Sequence, residues 1–157
     1  MGLKKYESSV KTIPWSENAV FSVLSNFEVL NFFFSEENID KMKSQLGDKA
    51  SKFNIENFTA DIDTCEFTVS PIGTIGLEII ERENPKLIKI KNFKGPVSFT
   101  MWIQILPKGE NECKMRLSLH AELNMMMQMM VGKKLDGGID QFADGIAKIP
   151  FGNIPIS

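Results

Sequence analysis

The chain of 157 residues holds a single histidine, His120, so any imidazole base, ligand or Ser-His-Asp relay would have to use it. Its neighbours argue against that use. From Glu112 to Leu123, apolar Cys113, Met115, Leu117, Leu119, Ala121 and Leu123 alternate with Lys114, Arg116, Ser118, His120 and Glu122. Successive side chains of a strand point to opposite faces, so His120 belongs to the wet face. A base working in an interior would share the phase of Leu117 and Leu119. The two cysteines, Cys65 and Cys113, both fall on apolar phases of strands. That pattern predicts buried free thiols, and nothing further in the sequence supports a disulfide between them.

Metal and phosphate chemistry find no better footing. The sequence has no HExxH or CxxC pattern. Asp61, Asp63 and Thr64 read as turn residues between strands, because the glycine and terminal glutamate of a calcium loop are missing. Gly73-Thr74-Ile75-Gly76 lacks the lysine and the following helix of a phosphate loop. No metal, cofactor or catalytic residue is expected.

The run Met125-Met126-Met127-Gln128-Met129-Met130 is the most unusual local feature. At about 100° per residue, Met127 falls at the edge of the main apolar stripe of the helix that follows. Met126 and Met130 point to an adjoining face, and Met125 and Met129 further round. Three readings stand: core covered by neighbouring segments, a soft portal for an apolar ligand, or a contact patch for a protein or membrane. Copper(I) on thioethers would want nearby Cys or His, which the run lacks.

The elements that must position these residues follow from hydrophobic period. At Asn124 the period changes from two to nearly four. Met127, Val131, Leu135, Ile139, Phe142 and Ile146 then recur as one stripe of a long helix, interrupted by Gly132, Gly137, Gly138 and Gly145. Each glycine costs a helix up to about 1 kcal/mol relative to alanine, offset by close packing or marking a bend near Gly137-Gly138. Earlier in the chain, Leu3 to Ile13 reads as one strand with Tyr6, Ser8, Val10 and Thr12 on one face, ended by Pro14. Ser16 and Glu17 open a short helix carrying Val20, Leu24 and Phe27, and a second is expected over Glu28 to Phe34. The polar stretch Ser35 to Lys52 reads as an insertion where a cavity lid would lie, or as a plain surface loop. Six strands then follow at intervals of about ten residues with short turns, which predicts an antiparallel meander.

Composition sets the class. One domain over 1–157 is expected, with 43% hydrophobic and 24% charged residues typical of a soluble globular chain. A net charge of −2 argues against a nucleic-acid partner. Lysines alternate with apolar residues, as in Lys86-Leu87-Ile88-Lys89-Ile90-Lys91, which is the pattern of a solvated sheet face. With no apolar run near 18 residues and no secretory leader at Met1 to Glu7, no integral membrane segment is expected, and the cytoplasm is the expected compartment.

The order strand, two short helices, six strands and long C-terminal helix resembles the START-like (SRPBCC, birch-pollen-allergen type) superfamily over about Leu3 to Ile149. The resemblance is carried by Ile13-Pro14-Trp15-Ser16-Glu17-Asn18-Ala19-Val20-Phe21 and by the final strand running into a helix. It implies an α+β helix-grip fold, a curved seven-stranded antiparallel sheet around the last helix. It also implies binding or carriage of a small apolar molecule, lipid-like or polyketide-like, in a central cavity. Expected ligand-facing residues are Phe67, Val69, Ile75, Leu77, Phe99, Met101, Ile103, Met115, Leu117, Leu119, Met127, Val131, Leu135 and Phe142. Such a lining suits burial of an apolar molecule and offers little to acid–base chemistry, so the sequence leans away from an enzyme. The alternatives are a polyketide cyclase or dehydratase, which would need Tyr6, Ser8, Thr12 or Asn57 to converge, and a protein-interaction domain using the methionine run. A monomer or weak homodimer is expected.

Overall fold

The switch at Asn124 does separate the last strand from the long helix. In the computed structural model, residues 2–29, 31, 54–70, 73–149 and 151 are described, without the side chains of residues 54–55, 69–70, 127 and 130–136. The expected insertion over Ser35 to Lys52 and most of the expected second short helix lie outside them. The chain runs β1 (Gly2–Glu7), β2 (Lys11–Ile13), α1 (Glu17–Leu24), a 3-10 turn (Phe27–Val29), β3 (Asn54–Ala60), β4 (Thr64–Ser70), β5 (Gly73–Glu83), β6 (Leu87–Lys94), β7 (Phe99–Pro107), β8 (Cys113–Leu123) and α2 (Met125–Ala147). All described strand pairings are antiparallel, in the order β1-β8-β7-β6-β5-β4-β3, with β2 also on β8.

The sheet therefore has eight strands where the sequence predicts seven, because the first strand is broken by a bulge. Glu7 pairs with Ser118 and Lys11 with Met115, four steps along one strand against three along the other. Ser8 makes the break affordable. Its N–H donates to the Leu117 carbonyl at 2.9 Å, and its hydroxyl accepts the Leu117 N–H at 2.9 Å, replacing the backbone partner that the bulge removes. The extra residue also reverses the phase. Ile13 is fully buried and Val10 is 57% exposed, which corrects the expectation that Val10 and Thr12 share the face of Tyr6.

Three more register shifts bend the sheet. One lies between Glu56 and Thr59 of β3, where Asn57 takes φ +56°, a left-handed conformation that asparagine tolerates better than most residues. The other two lie on β5, one between Gly76 and Leu77 and one between Ile79 and Glu81 that turns Ile80 outward. Bulges of this kind increase local twist and curve a sheet around its inner face.

Helix α1 begins where the sequence predicts. The Ser16 hydroxyl caps it by accepting the Ala19 N–H at 3.2 Å, Glu17 sits in the first turn, and Val20, Phe21 and Val23 are buried. Helix α2 runs back over β8, β1 and β2. Its buried stripe is Ile139, Ala143 and Ile146, at steps of four and three. Phe142, expected on that stripe, is 54% exposed. The core beneath joins Ile13, Cys65, Ile79, Ile88, Ile90, Ile103, Ile105, Cys113, Met115 and Leu117 to α1 and α2. Burying each of the larger side chains stabilises the fold by about 1.5–3 kcal/mol.

Candidate functional site

The inner face of β7 changes character from one end to the other. At the end of Ile105, Cys113 and Met115, side chains are sealed, each at 1% exposure or less. Toward the start of β7, the same phase carries Met101 and Phe99, both only partly buried. Leu119 of β8, paired with Met101, is also partly buried, as are Ile75 and Leu77 of β5 and Phe67 of β4. Phe67 stacks on Phe58 of β3 with ring centroids 6.1 Å apart. An apolar surface thus continues from the sealed core into a half-buried zone that crosses the sheet.

The expected ligand-facing residues divide along this gradient. Ile103, Met115 and Leu117 are sealed core. Phe67, Ile75, Leu77, Phe99, Met101 and Leu119 form the half-buried zone. Val69 lies in β4 and Met127, Val131 and Leu135 in α2, with side chains outside the described set. Phe142 points away from the sheet's interior. Met125, Met126 and Met129 are 80%, 71% and 84% exposed, so for these three the reading as covered core is corrected.

The polar residues that an enzyme would need do not meet. Tyr6, Ser8 and Thr12 belong to β1, β2 and the bulge between them, whereas Asn57 lies in β3 at the other end of the strand path. Ser8 spends its hydroxyl on backbone, and Thr12 and Asn57 are exposed. His120 stands on the outer face, 4.5 Å from the Trp102 ring between centroids, with the Lys89 ammonium 5.4 Å from the same ring centroid. Cys65 and Cys113 are buried free thiols, and desolvation pushes each up to about 11.

Sequence reasoning missed the polar clip that holds α2 to the sheet edge. Asp140 accepts from the Ser9 N–H and hydroxyl, each at 2.8 Å, and pairs with the Lys11 ammonium at 3.0 Å. Lys11 also reaches Asp144 at 2.8 Å. The backbone hydrogen bond from Ser9, then Lys11, hold the Asp140 carboxyl at about 2; Asp144 and then Asp140 raise the Lys11 ammonium above its usual range. Asp140 and Asp144 are one helical turn apart, which was the available signal. Their partner is fixed only by the phase reversal at the β1–β2 bulge.

Two open clefts, of about 260 and 450 Å³, flank the turn between β3 and β4. Two of their carboxylates have structural work. Asp61 accepts from the N–H groups of Asp63 and Thr64 and from the Thr64 hydroxyl, and Asp63 pairs with Arg82 at 2.7 Å. Among the described residues no group of three or more His, Cys, Asp or Glu is placed to hold a metal ion.

A curved antiparallel sheet gripping a long C-terminal helix, with a short helix after the first strands, is the START-like helix-grip fold, and this chain has it. Norcoclaurine synthase from Thalictrum flavum superposes with TM-score 0.64 at 16% identity, over 94% of this chain and 92% of that one. A conserved protein from Geobacillus kaustophilus gives 0.59 at 14% identity over 92% and 93%, and a START superfamily protein from Mycobacterium smegmatis 0.54 at 13% over 89% and 98%. At these identities the likeness is one of fold. No protein-family profile and no curated relative matches the sequence. No described helix is long and apolar enough to cross a membrane.

Proposed function

We propose that the protein binds a small apolar molecule between the half-buried patch of the inner sheet face and α2. The observation that carries this reading is a half-buried apolar patch on the inner phase of β7 and at Leu119 of β8, bounded along β8 by sealed Leu117 on one side and sealed Ala121 and Leu123 on the other. Ile105 and Leu117 are sealed, while Met101, Phe99 and Leu119 keep accessible apolar surface facing the helix side. Partly wet apolar residues on a concave face gain free energy when a ligand displaces their water, by roughly 25 cal/mol per Å². Norcoclaurine synthase from Thalictrum flavum, of the same fold at 16% identity, was solved with dopamine and hydroxybenzaldehyde. Small aromatic compounds therefore stand beside fatty acids as candidate ligands. The free thiols Cys65 and Cys113 support a reducing compartment such as the cytoplasm.

Two measurements test the reading. Native mass spectrometry of the protein purified from its own host is expected to show a retained apolar mass. Titration with the fluorescent probe N-phenyl-1-naphthylamine is expected to saturate, with Met101→Trp and Leu119→Trp weakening uptake about tenfold. A parent protein that retains nothing and takes up no probe, or variants that bind as the parent does, would sink it.

A further inference from the structure

The start of α2 is the least protected apolar surface among the described residues. Met125, Met126 and Met129 are 80%, 71% and 84% exposed, and helical geometry places all three within one sector of about 100°. Gly2 pairs with Leu123 and Leu3 with Glu122, so β1 delivers its first residues to the same end of the molecule. Leu3, at the same end but on the outer face with Glu122, is 53% exposed. A monomer seldom leaves such a cluster bare without a use.

The charges around the cluster favour one occupant. Lys4 is exposed on the helix side of the sheet, in register with Ala121, and Lys5 is exposed on the outer face, in register with His120; β1 is the edge strand, so the two ammonium groups flank this end from either face. The first turn of α2 holds no acidic residue, so the positive end of its dipole is not offset there. Glu122, opposite Leu3, is the carboxylate nearest this end along the paired strands. A second copy would bring Lys4, Lys5 and the helix start against themselves across a two-fold contact, which like charges oppose. Soft apolar side chains rimmed by ammonium groups instead match an anionic lipid surface, where the apolar tips reach the acyl boundary and the lysines meet phosphate.

We infer that the start of α2 docks on anionic membranes through Met125, Met126 and Met129, with Lys4 and Lys5 over the headgroups. Docking stands apart from the ligand reading, since a protein with a filled interior would dock in the same way. If both hold, the docked end is the end at which Leu119, Met101 and Phe99 are half buried, and a ligand exchanges directly with the bilayer.

The test is flotation of the full chain with phosphatidylcholine vesicles, with and without roughly 30% phosphatidylserine, at low and high salt. Binding is expected only to the anionic vesicles, and to fall as salt rises. Met126→Ser with Met129→Ser is expected to weaken it about tenfold. So is Lys4→Gln with Lys5→Gln, an independent pair should the methionine variant lose its helix by circular dichroism. Equal binding to neutral vesicles, no binding to either, or full binding by both variants would overturn the inference. So would a dimer of the parent that the methionine changes dissociate, which would mark the patch as a contact between copies.

Discussion

Replacing Gly137 and Gly138 by alanine tests how α2 is built. Both lie inside the helix, and a Cβ added at either meets no described atom within 4 Å. Close packing against a neighbour, one of two reasons the sequence allows for helical glycines, is thus not found at these positions among the described residues. Glycine in a helix interior is less favourable than alanine by about 0.8–1 kcal/mol, through backbone entropy in the unfolded chain. With no side-chain clash to subtract, each substitution should stabilise by about that amount. Gly137 and Gly138 project about 100° apart with no shared neighbour, so the double variant should gain about 2 kcal/mol. For a domain of this size 1 kcal/mol corresponds to roughly 2–4 °C in Tm, giving about 4–8 °C for the pair. Urea denaturation gives the free energy at constant m value, and calorimetry gives the Tm. A double variant that melts below the parent would refute the reasoning. It would mean that the helix needs glycine here for a bend whose strain alanine cannot adopt, the second of the two reasons.

Two further outcomes follow from the clip and the thiols. Asp140 has its folded carboxyl at about 2 against an ordinary value of 3.8, so its stabilising contribution is complete above the ordinary value and is lost as pH falls toward 2. Thermal melts from pH 5 to 2 should therefore show the parent losing stability more steeply than Asp140→Asn, and parallel curves would remove the clip's role. Cys65 and Cys113, buried and raised to about 11, should resist a thiol reagent at pH 8 in the native protein and both react after denaturation. Fast labelling of either in the native state would contradict their burial.

What the sequence determined about this protein is what neighbouring residues settle between themselves. Alternation assigned Met115 and Leu117 to one face and His120 to the other, because the side-chain period of a strand is a local property. The Ser16 cap and the Asp61 turn were equally legible, since each is closed by hydrogen bonds within three residues. The tertiary structure decided whatever depends on counting residues against a distant partner. The extra residue between Glu7 and Lys11 exists only relative to Ser118 and Met115, yet it turned Val10 outward and Lys11 toward Asp140 and Asp144. The stripe of α2 shows the same limit. Hydrophobicity marked Phe142, but the helix lies against the sheet on Ala143, fully buried, and leaves the phenylalanine exposed. The exposure of Met125, Met126 and Met129 was likewise open in the sequence. A methionine suits a core, a portal or a membrane surface equally well, and only the path of the surrounding chain decides which of them it meets.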